Sequence, residues 1–123
     1  MALKKDGGGR KMHNRELGKE GEKKARKYLA AHGWKIIAKN YENPFGEIDI
    51  IARKGDVLAF IEVKTRLSDV FGTPSQAVNE ARKRKYISGA KYFLLNKNVD
   101  MCVRFDIIEV FMGEINHIEN AFY

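Results

Sequence analysis

Cysteine and long apolar runs are scarce in this sequence, and each shortage excludes a class of protein. The single cysteine, Cys102, can assemble neither a disulfide framework nor a thiolate zinc site, so we expect a reducing compartment, the cytoplasm. No apolar run approaches the roughly 20 residues that span a bilayer, and the N-terminal stretch lacks the apolar segment of a secretory signal. We therefore expect a protein that is neither inserted in a membrane nor exported.

Positive charge, by contrast, is abundant and concentrated near the N-terminus. The formal net charge is +7, and residues 1–27 hold ten Lys or Arg against four acids, a net of +6. A second basic cluster lies at residues 82–85. Nucleic acid is the natural partner of such patches, because each neutralised phosphate releases condensed counterions. A solvated basic face that only aids solubility is the alternative interpretation.

The length of 123 residues and the periodicity of the apolar residues predict one folded domain. Residues 1–13 combine a glycine triplet with lysines and show no periodicity, which predicts a flexible basic tail before a single domain over 14–123. Apolar residues at helical spacing predict a first helix between an N-cap at Asn14 and a stop at Gly33. Strands are predicted over 34–41, 47–52 and 57–64.

The second half of the chain is predicted to add a helix and two strands. Thr73, Pro74 and Gln76 have the pattern of a capping box at the start of a second helix. That helix is predicted to continue to about residue 95, with a break near Glu80 as one option. A strand, a turn near Gly113 and a short closing strand complete the order. The sequence thus predicts an α/β fold, a mixed sheet of about five strands flanked by helices.

Charged side chains interrupt the two most strand-like segments, within residues 46–66 (GEIDIIARKGDVLAFIEVKTR). Alternation along each strand, with a connection of two or four residues, predicts that Asp49, Glu62 and Lys64 share one face with Glu47. In this register Asp49 is opposite Phe60, and Glu47 is opposite Glu62. Asp49 and Glu62 are then diagonal neighbours, with Cα atoms roughly 7–8 Å apart.

Two carboxylates on a half-buried face repel each other unless a cation lies between them. Mg²⁺, for which Mn²⁺ can substitute, binds such oxygen ligands, and it polarises phosphoryl oxygens and lowers the pKa of bound water. Lys64 would then contact the scissile phosphate, position the attacking water or act as the base. The pattern predicts phosphodiester hydrolysis, and an ordinary Glu-Lys salt bridge on a sheet face is the alternative.

Glu22 is the acid of the first helix that borders its buried face. On a helical wheel the apolar stripe centres near Gly21 and Ala25, and Glu22 lies about 80° from that centre. Glu16 and Glu20 point toward solvent. Glu22 is therefore the helical acid that can approach the sheet.

A set of short sequence blocks covers most of the chain after the tail. They are Gly21-Glu22 with Ala25 and Leu29, Asn40-Tyr41, Gly46-Glu47-Ile48-Asp49, Glu62-Val63-Lys64-Thr65-Arg66, Phe71-Gly72, Arg104-Phe105-Asp106 and Asn120-Ala121-Phe122. Together they resemble the YraN-like family of small bacterial proteins, within the PD-(D/E)XK nuclease superfamily. That superfamily shares its fold with restriction endonucleases and archaeal Holliday-junction resolvases.

The resemblance implies a restriction-endonuclease-like fold and a set of site residues. Asp49, Glu62 and Lys64 match the signature acids and lysine, and Glu22 matches the helical glutamate that completes the metal site. Gln76 corresponds to a glutamine that some members place near the metal. Ile48 stands where the superfamily has its proline, a position that supplies no ligand.

The implied function is a Mg²⁺-dependent endonuclease acting on DNA, in particular branched or processed DNA in repair or recombination. A catalytically inactive nucleic-acid-binding module with the same fold is the first alternative, and a protein-interaction adaptor is the second. A homodimer is an option by analogy with resolvases, although no sequence feature requires it. The predicted phosphate contacts are Arg66, Arg82, Lys83, Arg84 and Lys85.

Three aromatic residues lie near the starts and ends of predicted strands. Trp34, Tyr41 and Phe45 could stack on unpaired bases, as in proteins that bind single strands. Packing in the core or at its rim is the commoner role of aromatics at such positions.

Overall fold

A computed structural model describes the backbone of residues 2–66 and 79–122 and the side chains of residues 16–66 and 79–122. In chain order the elements are α1 (Ala2–Ala31), β1 (Lys35–Asn43), β2 (Gly46–Lys54), β3 (Val57–Arg66), α2 (Glu80–Leu94), β4 (Cys102–Phe111) and β5 (Glu114–Ile118). Among the described residues, no helix combines the length and the hydrophobicity needed to cross a lipid bilayer.

The five strands form one mixed sheet with the order β1-β2-β3-β4-β5. β3 and β4 are parallel, and every other neighbouring pair is antiparallel. A parallel pair requires a crossover connection, and α2 lies in the connection between β3 and β4. The predicted fold class is confirmed: a five-stranded mixed sheet flanked by helices, consistent with a restriction-endonuclease-like fold.

The two helices cover opposite faces of this sheet. Ile51 and Phe60 pack in one core cluster with Tyr86 and Ala90 of α2. Their neighbours along the strands, among them Ile50 and Ile61, pack in a second cluster with Ala25 and Leu29 of α1. Because successive side chains of a strand point to opposite faces, the central strands β2 and β3 are buried on both sides.

The helix ends differ in part from those predicted. α1 extends back to Ala2, so Asn14 lies inside the helix and does not cap it. The flexible tail over 1–13 stays a prediction. α2 begins at Glu80, where the side chain of Asn79 accepts a hydrogen bond from the Arg82 N–H at 2.9 Å. The capping box predicted at Thr73 lies outside the described residues.

The register of β2 and β3 differs by two residues from the predicted one. Ala52 pairs with Ala59, and Ile51 pairs with Phe60, so the prediction that Asp49 is opposite Phe60 is wrong. The cause is the turn, which places Gly55 at φ 61° between Lys54 and Val57. A positive φ at the first turn residue suits a tight two-residue hairpin, so the turn is Gly55-Asp56. Its centre lies one residue later than predicted, which moves the register by two residues. A shift of two residues preserves the faces, because side chains alternate with a period of two.

The edge of the sheet near Asp49 departs from regular alternation. Ile48 and Ile51 are three residues apart, yet both belong to the cluster that α2 covers. On the neighbouring strand, Asn40 has φ 48° and lies between the registered pairs Lys39 with Ile50 and Tyr41 with Ile48. Asparagine tolerates this left-handed conformation better than most residues. The residues around Asp49 therefore lie in an irregular part of the sheet.

Candidate functional site

Two buried carboxylates lie just beyond the last registered pair of β2 and β3. That pair is Ile50 with Ile61, so Asp49 and Glu62 occupy the next positions on the two strands. Asp49 is 7% exposed and Glu62 is 1% exposed. The Val63 N–H donates a 2.8 Å hydrogen bond to Asp49 Oδ2, which fixes that carboxylate against β3.

The environment of Asp49 strongly disfavours its charged form. Burial, followed by repulsion from the Glu62 carboxylate, raises the pKa of Asp49 to about 8 from an ordinary value of 3.8. The hydrogen bond from Val63 works in the opposite direction, and the charge of Glu22 adds to the rise. Strong perturbation by burial together with a specific charge partner is typical of functional sites.

Glu62 is held by three side chains. The Tyr86 hydroxyl donates to Glu62 Oε1 at 2.5 Å, and Arg82 Nη2 lies 3.0 Å from Glu62 Oε2. Lys64 Nζ is 3.5 Å from the same oxygen, and the Lys64 side chain remains 31% exposed. Burial would lower the pKa of Arg82, but the attraction of Glu62 outweighs it and raises the pKa of Arg82 above its ordinary value.

Tyr86 links the two strands from the α2 side. Its hydroxyl accepts a 3.2 Å hydrogen bond from the Asp49 N–H in addition to donating to Glu62. Burial, followed by the charges of Asp49 and Glu62, raises the pKa of Tyr86 well above 10.0, so its hydroxyl keeps its proton. Sequence reasoning missed Tyr86. The only available signal was that a buried tyrosine needs a partner for its hydroxyl.

Glu22 approaches this pair from α1 without joining it. Its Oε1 accepts a 2.9 Å hydrogen bond from Asn40 Nδ2, and its charge still acts on Asp49. α1 can approach β3 this closely because the residue before Glu22 is Gly21. A Cβ at that position would overlap Thr65 Oγ1 of β3. Among the described side chains, no group of three or more His, Cys, Asp or Glu is arranged to hold a metal ion.

Two carboxylates nevertheless supply the number of protein ligands with which Mg²⁺ is usually bound. This ion keeps several waters and is usually bound through one or two carboxylates together with substrate phosphates. The repulsion that raises the pKa of Asp49 is the interaction that a cation between the two groups would remove. Asp49 and Glu62 therefore fit a divalent ion, with Glu22 as a third acid within electrostatic range.

The basic residues predicted to contact phosphate are spread over two elements. Arg66 Nη1 on β3 is 3.0 Å from Glu109 Oε2, and Lys83 Nζ on α2 is 3.3 Å from Glu80 Oε2. Arg84 and Lys85 are exposed on α2. Arg82 contacts Glu62, so it is the member of the set that reaches the carboxylate pair. The position of Gln76 lies outside the described residues.

A third buried acid, Asp106, belongs to a separate cluster on β4. Arg104 donates two 2.9 Å hydrogen bonds to it, His117 Nε2 lies 2.7 Å from its Oδ2, and the Asn120 N–H donates at 2.9 Å. Burial would raise the pKa of Asp106, but these hydrogen bonds outweigh it and lower the pKa below 3.8. Asp106 thus ties β4 to β5 and to the C-terminal segment, as a structural partner of Arg104.

Comparison with known proteins finds one family. The model of the uncharacterised protein family UPF0102 matches residues 21–110, which include every residue of the carboxylate site. A UPF0102 protein of Thermodesulfovibrio yellowstonii is 50% identical over 108 residues, covering 88% of this chain and 96% of that protein. UPF0102 proteins of Clostridioides difficile and Caldicellulosiruptor saccharolyticus are 46% and 42% identical, each over 90% of this chain and 100% of the relative.

Proposed function

Because the chain belongs to the uncharacterised protein family UPF0102, whose description assigns no activity, we propose its function from the site itself. The proposal is a Mg²⁺-dependent endonuclease of the PD-(D/E)XK type that hydrolyses phosphodiester bonds in DNA. Branched or processed DNA in the cytoplasm, as formed in repair or recombination, is the proposed substrate. The observation that carries the proposal is the buried pair Asp49 and Glu62 with Lys64 beside it.

The carboxylate pair is difficult to explain as a stabilising feature. Burial and the nearby charge of Glu62 make ionisation of Asp49 unfavourable, and apolar residues at the same positions would avoid that loss. A divalent ion supported by Asp49 and Glu62 would offset the repulsion, with Glu22 as the nearby third acid. When bound, Mg²⁺ supplies Lewis-acid activation of a phosphoryl oxygen and of water, and Mn²⁺ is the expected substitute.

Lys64 is proposed to act on the scissile phosphate. Its ammonium group lies 3.5 Å from Glu62, and its side chain is partly exposed, so it can reach a phosphate at the mouth of the site. A fixed positive charge at that place stabilises the negative charge that develops on the phosphoryl oxygens during hydrolysis. Removal of one such group typically lowers the rate by about 10²–10³-fold.

The remaining cations supply phosphate contacts away from the reaction centre. The basic side chains of α2 at residues 82–85 and Arg66 on β3 are proposed to hold the DNA backbone, and Gln76 stays a prediction. Binding of this kind weakens with salt, because counterions compete for the phosphates. Association of two copies, which would cut two strands symmetrically, also stays a prediction.

Cleavage of branched, nicked and single-stranded DNA in Mg²⁺ tests the proposal. We expect cleavage by the unaltered protein, and its loss in Asp49→Ala and in Lys64→Ala. Asp100→Ala and Lys35→Ala are matched controls, because both side chains are exposed and lie outside the site. Activity that survives both Asp49→Ala and Lys64→Ala would refute the assignment.

One observation favours a second candidate, an inactive nucleic-acid-binding module. Arg82 and Tyr86 already satisfy both oxygens of Glu62, which is how a carboxylate is held in a purely structural role. This candidate predicts salt-sensitive binding to DNA that persists in Asp49→Ala and Lys64→Ala, with no cleavage. Binding and cleavage measured on the same variants therefore separate the two functions.

A further inference from the structure

The β1–β2 turn presents an aromatic ring beside the carboxylate site. Asn43 Oδ1 accepts a 2.9 Å hydrogen bond from the Phe45 N–H, which fixes the turn, and the Phe45 side chain is 45% exposed. Of the three aromatics considered for base stacking, Trp34 is buried and Tyr41 packs edge-on against Phe93. Phe45 is therefore the one of the three whose ring is available at the surface.

Phe45 belongs to an exposed apolar strip that continues along α2. Its ring lies 6.4 Å from that of Tyr92 in an edge-to-face arrangement. Tyr92 is 44% exposed, and Leu95, at the end of α2, is 59% exposed. Single exposed apolar residues are normal, but adjacent ones on two elements are characteristic of a binding surface.

Two cavities meet at Phe45. The first, of about 190 Å³, is lined in part by Glu47, Lys85, and Arg82 and Tyr86, the two side chains of α2 that contact Glu62, so it adjoins the carboxylate site. The second, of about 240 Å³, is lined by Ser88, Lys91, Tyr92 and Leu95. Phe45 lines both. They form one groove, called here the Phe45 groove, that leads from Tyr86 beside Glu62 to the end of α2.

The charges along the groove suit a phosphate chain. Arg82, Lys85 and Lys91 recur along the face of α2 that lines it, while Glu47 is the acid on its opposite wall. Lysine and arginine beside aromatic rings are the combination that binds single-stranded nucleic acid, where cations follow the backbone and the rings receive bases. An apolar peptide would use the rings but would leave the row of cations without partners.

We propose that the Phe45 groove binds unpaired nucleotides that adjoin the scissile phosphate, with a base stacked on Phe45 and phosphates beside Lys85 and Lys91. The inference rests on the proposed nuclease function and specifies its substrate class: a strand with an unpaired segment next to the cut, not a continuous duplex. Bases inside a duplex have their faces covered by neighbouring base pairs, so only an unpaired base can stack on the Phe45 ring.

Binding without divalent metal tests the groove separately from the chemistry. A duplex with a short single-stranded extension that carries 2-aminopurine is titrated with protein in EDTA, and the blunt duplex serves as reference. We expect tighter binding of the extended duplex and quenching of 2-aminopurine fluorescence as the base stacks. Equal affinity for the two duplexes would overturn the inference.

Variants of Phe45 decide whether stacking is the cause. Phe45→Ala should weaken binding of the extended duplex roughly tenfold, as expected for loss of one base–aromatic contact, and should abolish the quenching. Phe45→Trp should retain both, whereas Phe45→Leu should behave like Phe45→Ala. Met112→Ala, at an exposed residue of the β4–β5 turn, is the control and should bind normally. Unchanged binding by Phe45→Ala would refute the inference.

The outcomes separate this inference from the proposed function. If Asp49→Ala abolishes cleavage but Phe45→Ala leaves binding unchanged, the nuclease stands and the groove fails. If binding depends on Phe45 but no Mg²⁺-dependent cleavage occurs, the nuclease fails and the groove stands as a binding surface. Full binding of the extended duplex by Phe45→Leu would mean that an apolar contact suffices and would contradict base stacking. Extensions of DNA and of RNA are compared, and binding of either that depends on Phe45 supports the inference.

Discussion

The Tyr86 hydroxyl donates a hydrogen bond to Glu62 Oε1 at 2.5 Å. The Tyr86 hydroxyl oxygen also accepts a hydrogen bond from the Asp49 N–H, so one side chain of α2 holds the two strands that carry the proposed metal ligands. Both contacts are buried. Tyr86 thereby sets the separation of Asp49 and Glu62 from the α2 side of the sheet. Because its hydroxyl keeps its proton, Tyr86 does not present a charge to the substrate.

Tyr86→Phe tests this positioning role. The substitution leaves the Asp49 N–H and one Glu62 oxygen without their buried partner, so we expect the free energy of unfolding to fall by about 1–3 kcal/mol. Urea denaturation measures the change. Tyr92→Phe, on the exposed side of α2, is the matched control and should change stability little. Equal stability of both variants would show that the Tyr86 hydroxyl does not organise the site.

The raised pKa of Asp49 predicts how stability depends on pH. With a folded-state pKa of about 8 and an ordinary value of 3.8, the folded chain binds the proton more tightly than the unfolded chain. Without divalent metal, stability should therefore fall as pH rises from about 4 to about 8. Asp49→Asn should remove this part of the slope and be the more stable protein at pH 8, while lacking cleavage. Thermal unfolding in EDTA across this range measures the difference.

Arg82→Ala should tighten the binding of Mn²⁺ several-fold. Arg82 Nη2 lies 3.0 Å from Glu62 Oε2, so an incoming cation must compete with a guanidinium for the carboxylate. Removing the guanidinium removes that competitor and weakens DNA binding at the same time. Isothermal titration calorimetry with Mn²⁺ provides the measurement, with Lys83→Ala as control. Weaker Mn²⁺ binding by Arg82→Ala would instead mean that Arg82 preorganises Glu62.

Asp106 should be needed for stability and not for cleavage. Removing one partner from a buried, hydrogen-bonded charge pair typically destabilises a protein by about 3–5 kcal/mol, which we expect for Asp106→Ala. Because the folded-state pKa of Asp106 lies below 3.8, its contribution is present above that pH and is lost as pH falls through the lower value. Cleavage below the melting temperature of the variant should persist. Its loss in a folded Asp106→Ala protein would place Asp106 in the site.

The sequence was sufficient to predict the elements and the shared face, for a physical reason. Alternation along a strand has a period of two, so the grouping of Asp49, Glu62 and Lys64 tolerates the register error caused by the turn at Gly55. The order of helices and strands followed from apolar periodicity and turn residues. The turn near Gly113 and the short closing strand were also predicted correctly.

The contacts made by α2 could not be predicted in the same way. Arg82 and Tyr86 contact Glu62 from 20 and 24 residues further along the chain, and no local sequence pattern indicates such a pairing. The prediction that Arg82 contacts phosphate rested on its charge alone. The structure shows that its partner within the protein is Glu62. Likewise, the break in alternation near Asp49 depends on the positive φ of Asn40, a conformation that tertiary packing selects.

If the proposed function is right, Asp49 and Glu62 together bind a divalent ion. Anomalous diffraction from crystals soaked in Mn²⁺ would locate that ion. We expect a peak within about 2.0–2.6 Å of carboxylate oxygens of both residues, with Arg82 displaced from Glu62. No peak at this position, with Arg82 still paired to Glu62, would refute metal binding by the pair and leave the inactive binding module as the better description.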